Sequence, residues 1–310
     1  MIVITGATAS GKTDAAIRLC REIGGEVVSC DSMQVYRGMD IGTAKPSLAE
    51  RQGIPHHMLD LVDPMENYSV SAFREQAASV IADILSRGRQ PVLCGGTGLY
   101  IDALTKPMAF SEESNAAVRD ELRAIAAQPG GKRQLHETLE AIDPDSAARL
   151  HENDIRRVIR AIEIYRLTGR TMTEQMAIDS QREGDYRVDI FALDWPRDVL
   201  YERLNRRVDQ MMERGLVEEV RSLIARGVSP ESTAMQALGY KEIAAALAGR
   251  CSMEEAVEAI KMGTRRYAKR QITWFRRDER IRWIAAPGKS AEEIAFEIIK
   301  ETGYANSSGH

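Results

Sequence analysis

One short segment, Gly6-Ala-Thr-Ala-Ser-Gly-Lys-Thr13, constrains the fold of this chain more than any other. It matches the P-loop spacing G-x-x-x-x-G-K-[ST], and it lies between a β-branched run, Ile2 to Thr5, and a helical pattern over 14–23. Its glycines let backbone N–H groups wrap a phosphate at the positive end of the following helix. The sequence therefore predicts a site for a diphosphate or longer polyphosphate, formed by Gly6, Ala7, Thr8, Ala9, Ser10, Gly11, Lys12 and Thr13.

Strand and helix patterns alternate after this loop. Further strands are predicted over 26–30, 91–94, 188–193 and 281–285, and a helix over 70–87 precedes the strand at 91–94. Such βαβ alternation is typical of a parallel sheet with helices on its faces. The predicted fold class is α/β: a P-loop NTPase-like core with a central parallel sheet and a mostly helical insertion.

Three regions follow from this pattern. Residues 1–110 form the first part of the core, and 186–310 complete it, with helices predicted over 198–214, 216–226, 235–248 and 253–277. Between them, over 111–185, the strand signal disappears and helical segments follow one another. We expect this insertion to contact the substrate and to be able to close over it.

Composition and the distribution of apolar residues indicate the class of protein and its expected location in the cell. The 310 residues are 44% apolar and 28% charged, as in a globular protein, and the four cysteines are scattered without metal-ligand spacing. No apolar run approaches the ~20 residues that span a bilayer, and Met1 leads straight into a strand. We expect a cytoplasmic monomer without membrane contact. The net charge of −4 does not exclude a nucleic-acid partner, because lysine and arginine cluster in two stretches.

Two polar residues follow predicted strands close to the P-loop. The carboxyl ends of parallel strands share one edge of the sheet, so Asp31 and Thr97 should meet the P-loop in one crevice. Asp31 could ligate Mg²⁺, as in phosphoryl transfer, or accept a proton from a nucleophile. Thr97 could act on the substrate or could merely end its strand.

Beyond the P-loop, long motifs occur in a fixed order over nearly the whole chain. Together they resemble the bacterial tRNA dimethylallyltransferase family. One departure is Ala7, where that family is expected to have proline, and an alanine keeps the backbone N–H available. The motifs are DSMQVYRGMDIGTAKP (Asp31 to Pro46), HHMLDLVDP (His56 to Pro64), GGTGLY (Gly95 to Tyr100), ALGYKE (Ala237 to Glu242) and RRYAKRQITWFRR (Arg265 to Arg277).

The resemblance implies a reaction. A dimethylallyl group passes from dimethylallyl diphosphate, with Mg²⁺ as cofactor, to the N6 amine of the tRNA adenosine just 3′ of the anticodon. Asp31 then accepts the amine proton, and Thr97 lies beside the oxygen that links the isoprenoid to its diphosphate. Thr13 is the expected magnesium ligand, and Arg207 is a candidate clamp for the diphosphate, although it could equally be a solvated helix arginine.

The resemblance also implies contacts with the anticodon stem-loop. Arginines recur in the insertion, and a second basic stripe with aromatic residues covers 265–277. Such stripes are usually solvated helix faces, but two of them beside a base-modifying site favour phosphate contacts. The expected tRNA-contacting residues are Asp31, Ser32, Met33, Gln34, Thr97, Arg119, Arg156, Arg157, Val158, Ile159 and Arg160.

Two rival functions use the same features. A small-molecule kinase also places an aspartate after a strand near its P-loop, and it would consume a nucleoside triphosphate. An RNA-binding module switched by a nucleotide would bind tRNA without changing it covalently. ATP can enter the loop in every case, because backbone N–H groups recognise phosphate whatever is attached to it.

Overall fold

The P-loop follows an inner strand of a parallel sheet in a computed structural model that describes residues 1–107, 115–182 and 184–304. The strands are β1 (Ile2–Gly6), β2 (Gly25–Ser29), β3 (His56–His57), β4 (Gln90–Cys94), β5 (Asp189–Asp194) and β6 (Ile281–Ala285). They lie in the order β3-β2-β4-β1-β5-β6, and every pair is parallel. This confirms the predicted α/β class.

Helices cover both faces of the sheet. In the core these are α1 (Lys12–Ile23), α2 (Val70–Ser86), α3 (Gly98–Thr105), α9 (Arg197–Glu213), α10 (Leu216–Ala225), α11 (Tyr240–Leu247), α12 (Met253–Phe275) and α13 (Ala291–Thr302). One apolar cluster joins α1 and α13 to the sheet, and another joins α2, α3 and Phe275 of α12 to it. Because both faces are buried, β1 is buried along its whole length.

The segment 31–46, which follows β2, is held in place by two buried or partly buried ionic groups. The Glu219 carboxylate of α10 accepts hydrogen bonds from the backbone amides of residues 40, 41 and 42 at 2.8–3.1 Å, and from the Tyr240 hydroxyl at 2.5 Å. The Lys45 ammonium is buried and pairs with Asp40 at 2.7 Å and Asp60 at 2.5 Å. The segment is therefore ordered by side-chain contacts, among them those with Glu219 and Asp60 outside it, rather than by regular secondary structure.

A second compact unit, Lys106–Asp185, is helical throughout its described elements. These are α4 (Ala116–Ala126), α5 (Gly131–Ile142), α6 (Pro144–Arg149), α7 (Ile155–Thr168) and α8 (Met172–Ser180). They pack around Leu122, Leu139, Val158 and Ile162. The predicted boundary between 110 and 111 lies outside the described residues.

A buried carboxylate, Glu163, stabilises this unit. It is fully buried, and it accepts hydrogen bonds from Arg119 and Arg160 at 2.8 Å each and from the backbone amide of Asn115 at 3.0 Å. Burial alone would raise the pKa of Glu163, but the two arginines and the amide hold that pKa below its ordinary value. The pair of arginines thus has a structural role inside the unit.

Two sequence predictions about elements were incomplete. The helix predicted over 235–248 begins only at Tyr240, because Gly239 adopts a positive φ of 96° that ends the preceding turns. The two-residue strand β3 was not predicted, since two histidines carry no periodic signal. It pairs with Val27 and Val28, and its His57 lies 2.7 Å from the buried Glu26 carboxylate.

No helix in the described ranges is long and apolar enough to cross a membrane. Cys20, Cys30 and Cys94 are buried free thiols, and Cys251 is a partly buried free thiol.

We expect Glu163→Gln to destabilise the helical unit by about 2 kcal/mol, because both arginines would lose their buried counter-charge. The change should appear as a lower midpoint of urea denaturation followed by circular dichroism. Glu137→Gln is the matched control, since Glu137 forms an exposed ion pair with Arg133 at 2.9 Å and should change stability by less than about 0.5 kcal/mol. Equal midpoints for the two variants would contradict a special role for Glu163.

Candidate active site

The P-loop takes a conformation that depends on its glycines. Gly6 and Gly11 have φ angles of 129° and 92°, and a Cβ on Gly6 would lie 3.0 Å from the carbonyl oxygen of Leu193. Ala9 also has a positive φ, of 61°. A loop of this shape can turn several backbone N–H groups toward one anion.

Side chains from the second half of the chain hold the carbonyl groups of this loop. Arg203 donates its Nε hydrogen to Ala9 O at 2.9 Å, and Trp195 donates its indole hydrogen to Ser10 O at 3.0 Å. The Arg203 guanidinium also lies 4.3 Å from the centre of the Trp195 ring. These bonds fix the orientation of the peptide groups of the loop.

A cavity of about 310 Å³ opens beside the loop. Its lining includes four positive residues, Lys12, Arg203, Arg206 and Arg207, and one acidic residue, Asp14. The Ser10 hydroxyl is buried and has no hydrogen-bond partner among the described residues. A buried hydroxyl and four cations suit a ligand with phosphate oxygens. The lining residues are Ala9, Ser10, Gly11, Lys12, Thr13, Asp14, Arg203, Arg206, Arg207 and Gln210.

Burial changes the pKa of both positively charged residues predicted for this site, Lys12 and Arg207. Burial lowers the pKa of Lys12 to about 8, and Arg207 adds to this shift while Asp31 opposes it. The Lys12 ammonium meanwhile donates to Ala7 O at 2.6 Å. Burial also lowers the pKa of Arg207, with the charge of Asp31 acting against it. Lys12 and Arg207 both line the cavity, and the Asp31 carboxylate is near enough to oppose the lowering of each pKa.

Asp31 and Thr97 lie on adjacent loops. The Thr97 hydroxyl oxygen accepts the backbone hydrogen of Ser32 at 3.1 Å, and it donates weakly to the Ser32 hydroxyl at 3.4 Å. Asp31 Oδ1 accepts the amides of Met33 and Gln34 at 2.8 and 3.3 Å. The structure thus brings Asp31, Ser32 and Thr97 together at the carboxyl ends of β2 and β4.

Gln34 has other partners. Its amide oxygen accepts the Ser29 hydroxyl at 3.0 Å, and its amide nitrogen donates to Thr43 O and Ala44 O at 3.3 Å each. Reading an adenine edge with this side chain would require these bonds to break. Met33 packs at the margin of the cluster around α10 and α11.

Several residues of the site were missed from the sequence. Arg203, Arg206 and Gln210 line the cavity together with Arg207, and their spacing of three and four residues on α9 was a signal that could have found them. Gln271 was missed as well, since a glutamine within a basic stripe carries no distinguishing pattern. It contacts both the P-loop and the turn that bears Thr97.

The predicted tRNA-contacting residues of the helical unit divide into three groups. Arg156 and Arg157 are exposed on α7. The side chains of Val158 and Ile159 are buried in the core of the unit. Arg119 and Arg160 are ion-paired with the buried Glu163, as described above.

The second basic stripe, on α12, is only partly a surface feature. Phe275 is buried, so it is not free to stack on bases, and Tyr267 is only partly exposed. Arg265 donates to Asn205 at 2.6 Å. Lys269 and Arg270 are exposed.

Known proteins resemble this chain over nearly its full length. A family model described as IPP transferase matches residues 34–278. The tRNA dimethylallyltransferase of Carboxydothermus hydrogenoformans is 46% identical over 99% of this chain and 98% of its own. That of Geobacter metallireducens is 48% identical over 93% of each chain.

Solved structures of proteins named for the same kind of transfer to tRNA also resemble this chain. The tRNA isopentenylpyrophosphate transferase from Bacillus halodurans is 42% identical, with a TM-score of 0.73, and covers 97% of this chain and 95% of its own. A eukaryotic dimethylallyltransferase acting on tRNA is 31% identical, with a TM-score of 0.84, over 99% of this chain and 81% of its own.

The shifted pKa of Lys12 predicts a pH dependence of phosphate binding. The ammonium is charged below about pH 8 and neutral above it, and a bound anion favours the charged form. Calorimetry should therefore show the affinity for inorganic diphosphate falling by roughly tenfold between pH 7.5 and 9.5. Lys12→Arg stays charged over this range, so its affinity should fall much less. An equal decline in both proteins would contradict the assignment.

Proposed function

This chain belongs to the IPP transferase family, and we propose that it transfers a dimethylallyl group from dimethylallyl diphosphate to the N6 amine of the adenosine 3′ of the anticodon in tRNA. The products are N6-(dimethylallyl)adenosine and diphosphate. The observation that carries this proposal is the contact between Thr97 and Ser32 beside Asp31, because a proton acceptor and a hydroxyl donor adjoin a phosphate cradle there. Its curated relatives and its neighbours of known structure are named for the same class of transfer.

The diphosphate of the donor occupies the P-loop cavity. Lys12 and Arg207 supply positive charge, the first-turn amides of α1 supply N–H groups, and the Ser10 hydroxyl gains the partner that it lacks. These groups stabilise the negative charge that the diphosphate acquires as it leaves.

Asp31 accepts the amine proton. An adenine amine is a poor nucleophile, because its lone pair is delocalised into the ring. As N6 attacks the first carbon of the isoprenoid, the bond from that carbon to the bridging oxygen breaks, and the N6 proton passes to the Asp31 carboxylate. The hydrogen bonds from Met33 and Gln34 both go to Oδ1, so they fix the carboxylate while Oδ2 takes the proton.

A magnesium ion fits this site as a partner of the donor. Thr13 and Asp14, whose side chains carry oxygen atoms, both line the cavity. No group of three or more histidine, cysteine, aspartate or glutamate residues in the described part of the chain could hold a metal. Thr13 would therefore hold the ion together with phosphate oxygens and water, as is common for Mg²⁺. The ion would neutralise part of the diphosphate charge.

The target adenosine must leave its stack to reach Asp31, since the amine cannot approach the donor from within a stacked loop. The anticodon stem-loop carries phosphates that exposed arginines can bind, and Arg156 and Arg157 are the exposed members of the predicted set on α7.

Kinase chemistry is the alternative that the P-loop alone would allow. Incubation of the protein with labelled dimethylallyl diphosphate, Mg²⁺ and unmodified tRNA in nucleotide-free buffer separates the two. Transfer predicts a labelled adenosine at the position 3′ of the anticodon after digestion. A requirement for ATP, or ADP formed in proportion to product, would overturn the proposal.

Asp31→Asn should lower kcat by roughly 10²-fold or more while the affinity for tRNA and donor stays within a few-fold. The substitution keeps an oxygen that can accept the Met33 and Gln34 amides, so it removes the base without removing the turn. Single-turnover prenylation of tRNA measures the effect. A single-turnover rate within threefold of the parent rate would contradict the assignment of Asp31 as the proton acceptor.

Replacing Arg156 and Arg157 together by alanine should weaken tRNA binding and lower the slope of log affinity against log salt by about one for each phosphate that is no longer bound. Filter binding from low to moderate salt measures the slope. The matched control replaces Arg123 and Arg133, which are exposed in the same unit and form ion pairs of 2.9 Å with Asp120 and Glu137, whereas Arg157 lies 4.0 Å from Asp154. The same slope in parent and test variant would show that the α7 arginines only solvate the helix.

A further inference from the structure

Ala9, in the middle of the P-loop, has a backbone conformation that alanine disfavours. Its φ of 61° lies in the left-handed region, where the Cβ of an L-residue comes too close to the following carbonyl oxygen. Gly6 and Gly11 also have positive φ angles, but they have no Cβ and bear no such cost. A residue keeps a disfavoured conformation of this kind only when its surroundings impose it.

Two side chains contact the backbone at this point. Arg203 donates its Nε hydrogen to Ala9 O at 2.9 Å, and Trp195 donates its indole hydrogen to Ser10 O at 3.0 Å. The Arg203 guanidinium is in turn held over the Trp195 ring, 4.3 Å from its centre. Because each peptide group is planar, these bonds fix the orientation of two successive peptide groups, including their N–H groups.

The loop also packs on the helix that carries Arg203. Ala9 contacts an apolar cluster that contains Leu200 and Leu204 of α9. Residues three and four positions apart share a helix face, so Arg203 and Arg207 lie on the same side of α9 as Leu200. The helix that holds Ala9 O therefore also places Arg207 beside the cavity.

The residue before Ala9 is fixed in the same manner. Thr8 donates its backbone hydrogen to Oε1 of Gln271, a side chain of α12 that is 5% exposed, at 2.9 Å. Residues 8, 9 and 10 are thus each held by a side chain 185 to 263 positions away. These contacts belong to the chain itself, so they shape the loop independently of any phosphate that it binds.

We propose that Arg203 and Trp195 are positioning residues that force Ala9 into its left-handed conformation and thereby preform the phosphate-binding shape of the P-loop. The inference rests on the proposed function, since it takes the diphosphate of the donor as the ligand of the cavity. A preformed loop loses little conformational freedom when diphosphate binds, so its affinity for diphosphate is higher.

A double-mutant cycle between Arg203→Met and Ala9→Gly tests this proposal in the full chain. Arg203→Met removes a cation and the donor to Ala9 O, so it should weaken the binding of inorganic diphosphate by roughly thirtyfold in calorimetry. Glycine adopts a positive φ without cost. On an Ala9→Gly background, Arg203→Met should therefore weaken binding by only about fivefold, which is the effect of the lost charge.

Arg206→Met is the matched control. Arg206 lines the same cavity one turn later on α9, and among the described residues it makes no hydrogen bond to the loop. It removes the same charge as Arg203→Met, so it should weaken binding by about fivefold on either background.

Trp195→Phe tests the second contact with no change of charge. It keeps an aromatic ring beside Arg203 but removes the donor to Ser10 O, and it should weaken diphosphate binding by about fivefold. This loss should fall below about twofold on the Ala9→Gly background. The midpoint of thermal unfolding should stay close to the parent value, because the contacts lie in one loop.

Two results would overturn the positioning role. Arg203→Met and Trp195→Phe could each weaken binding by the same factor with and without Ala9→Gly, or Arg203→Met could weaken it no more than Arg206→Met does. Either result in a parent that prenylates tRNA leaves the proposed function standing. A parent that binds diphosphate and shows the predicted cycle, but transfers no dimethylallyl group to tRNA, would overturn the proposed function and leave the positioning role standing.

Discussion

Two neighbouring strands end so close together that only glycine fits between them. A Cβ on Gly95, directly after β4, would lie 2.2 Å from the carbonyl oxygen of Cys30, directly after β2. The amides of Cys30 and Thr97 complete this contact by donating to Cys94 O at 2.8 Å and Cys30 O at 3.2 Å. Asp31 and Thr97 leave the sheet side by side for this reason. The backbone alone thus places the proposed base next to the proposed hydroxyl donor, before any side-chain contact is considered.

The fold was predictable from the sequence where local patterns determine it. The P-loop has a strong motif signal, and the buried strands have strong hydrophobic patterns. In the structure these strands form the predicted parallel sheet. Gln271 had no such signal, because its role depends on Thr8 and Gly96, which are far away in sequence. The late start of α11 was also hidden, since it depends on the φ angle of Gly239.

The arginines of the helical unit show why charge counts mislead. Arg160 belongs by sequence to the same basic stretch as Arg156 and Arg157, and Arg119 lies upstream of it. The buried Glu163 carboxylate nevertheless pairs with Arg119 and Arg160 and not with Arg156 or Arg157. From the sequence alone, every arginine in such a stripe is an equally good candidate for binding a phosphate. Only the contacts separate those that stabilise the unit from those that are exposed to a partner.

Glu219 has a consequence for the motion of the segment 31–46. Its carboxylate receives the amides of residues 40–42 and the Tyr240 hydroxyl, and the Tyr240 ring packs so closely on Gly42 that a Cβ there would lie 2.4 Å away. Those amides can exchange their hydrogens with solvent only when the carboxylate of α10 releases them. We therefore expect the segment and the first turns of α10 and α11 to open together as one cooperative unit, held closed by a carboxylate that is about 190 positions from Asp31 in the sequence.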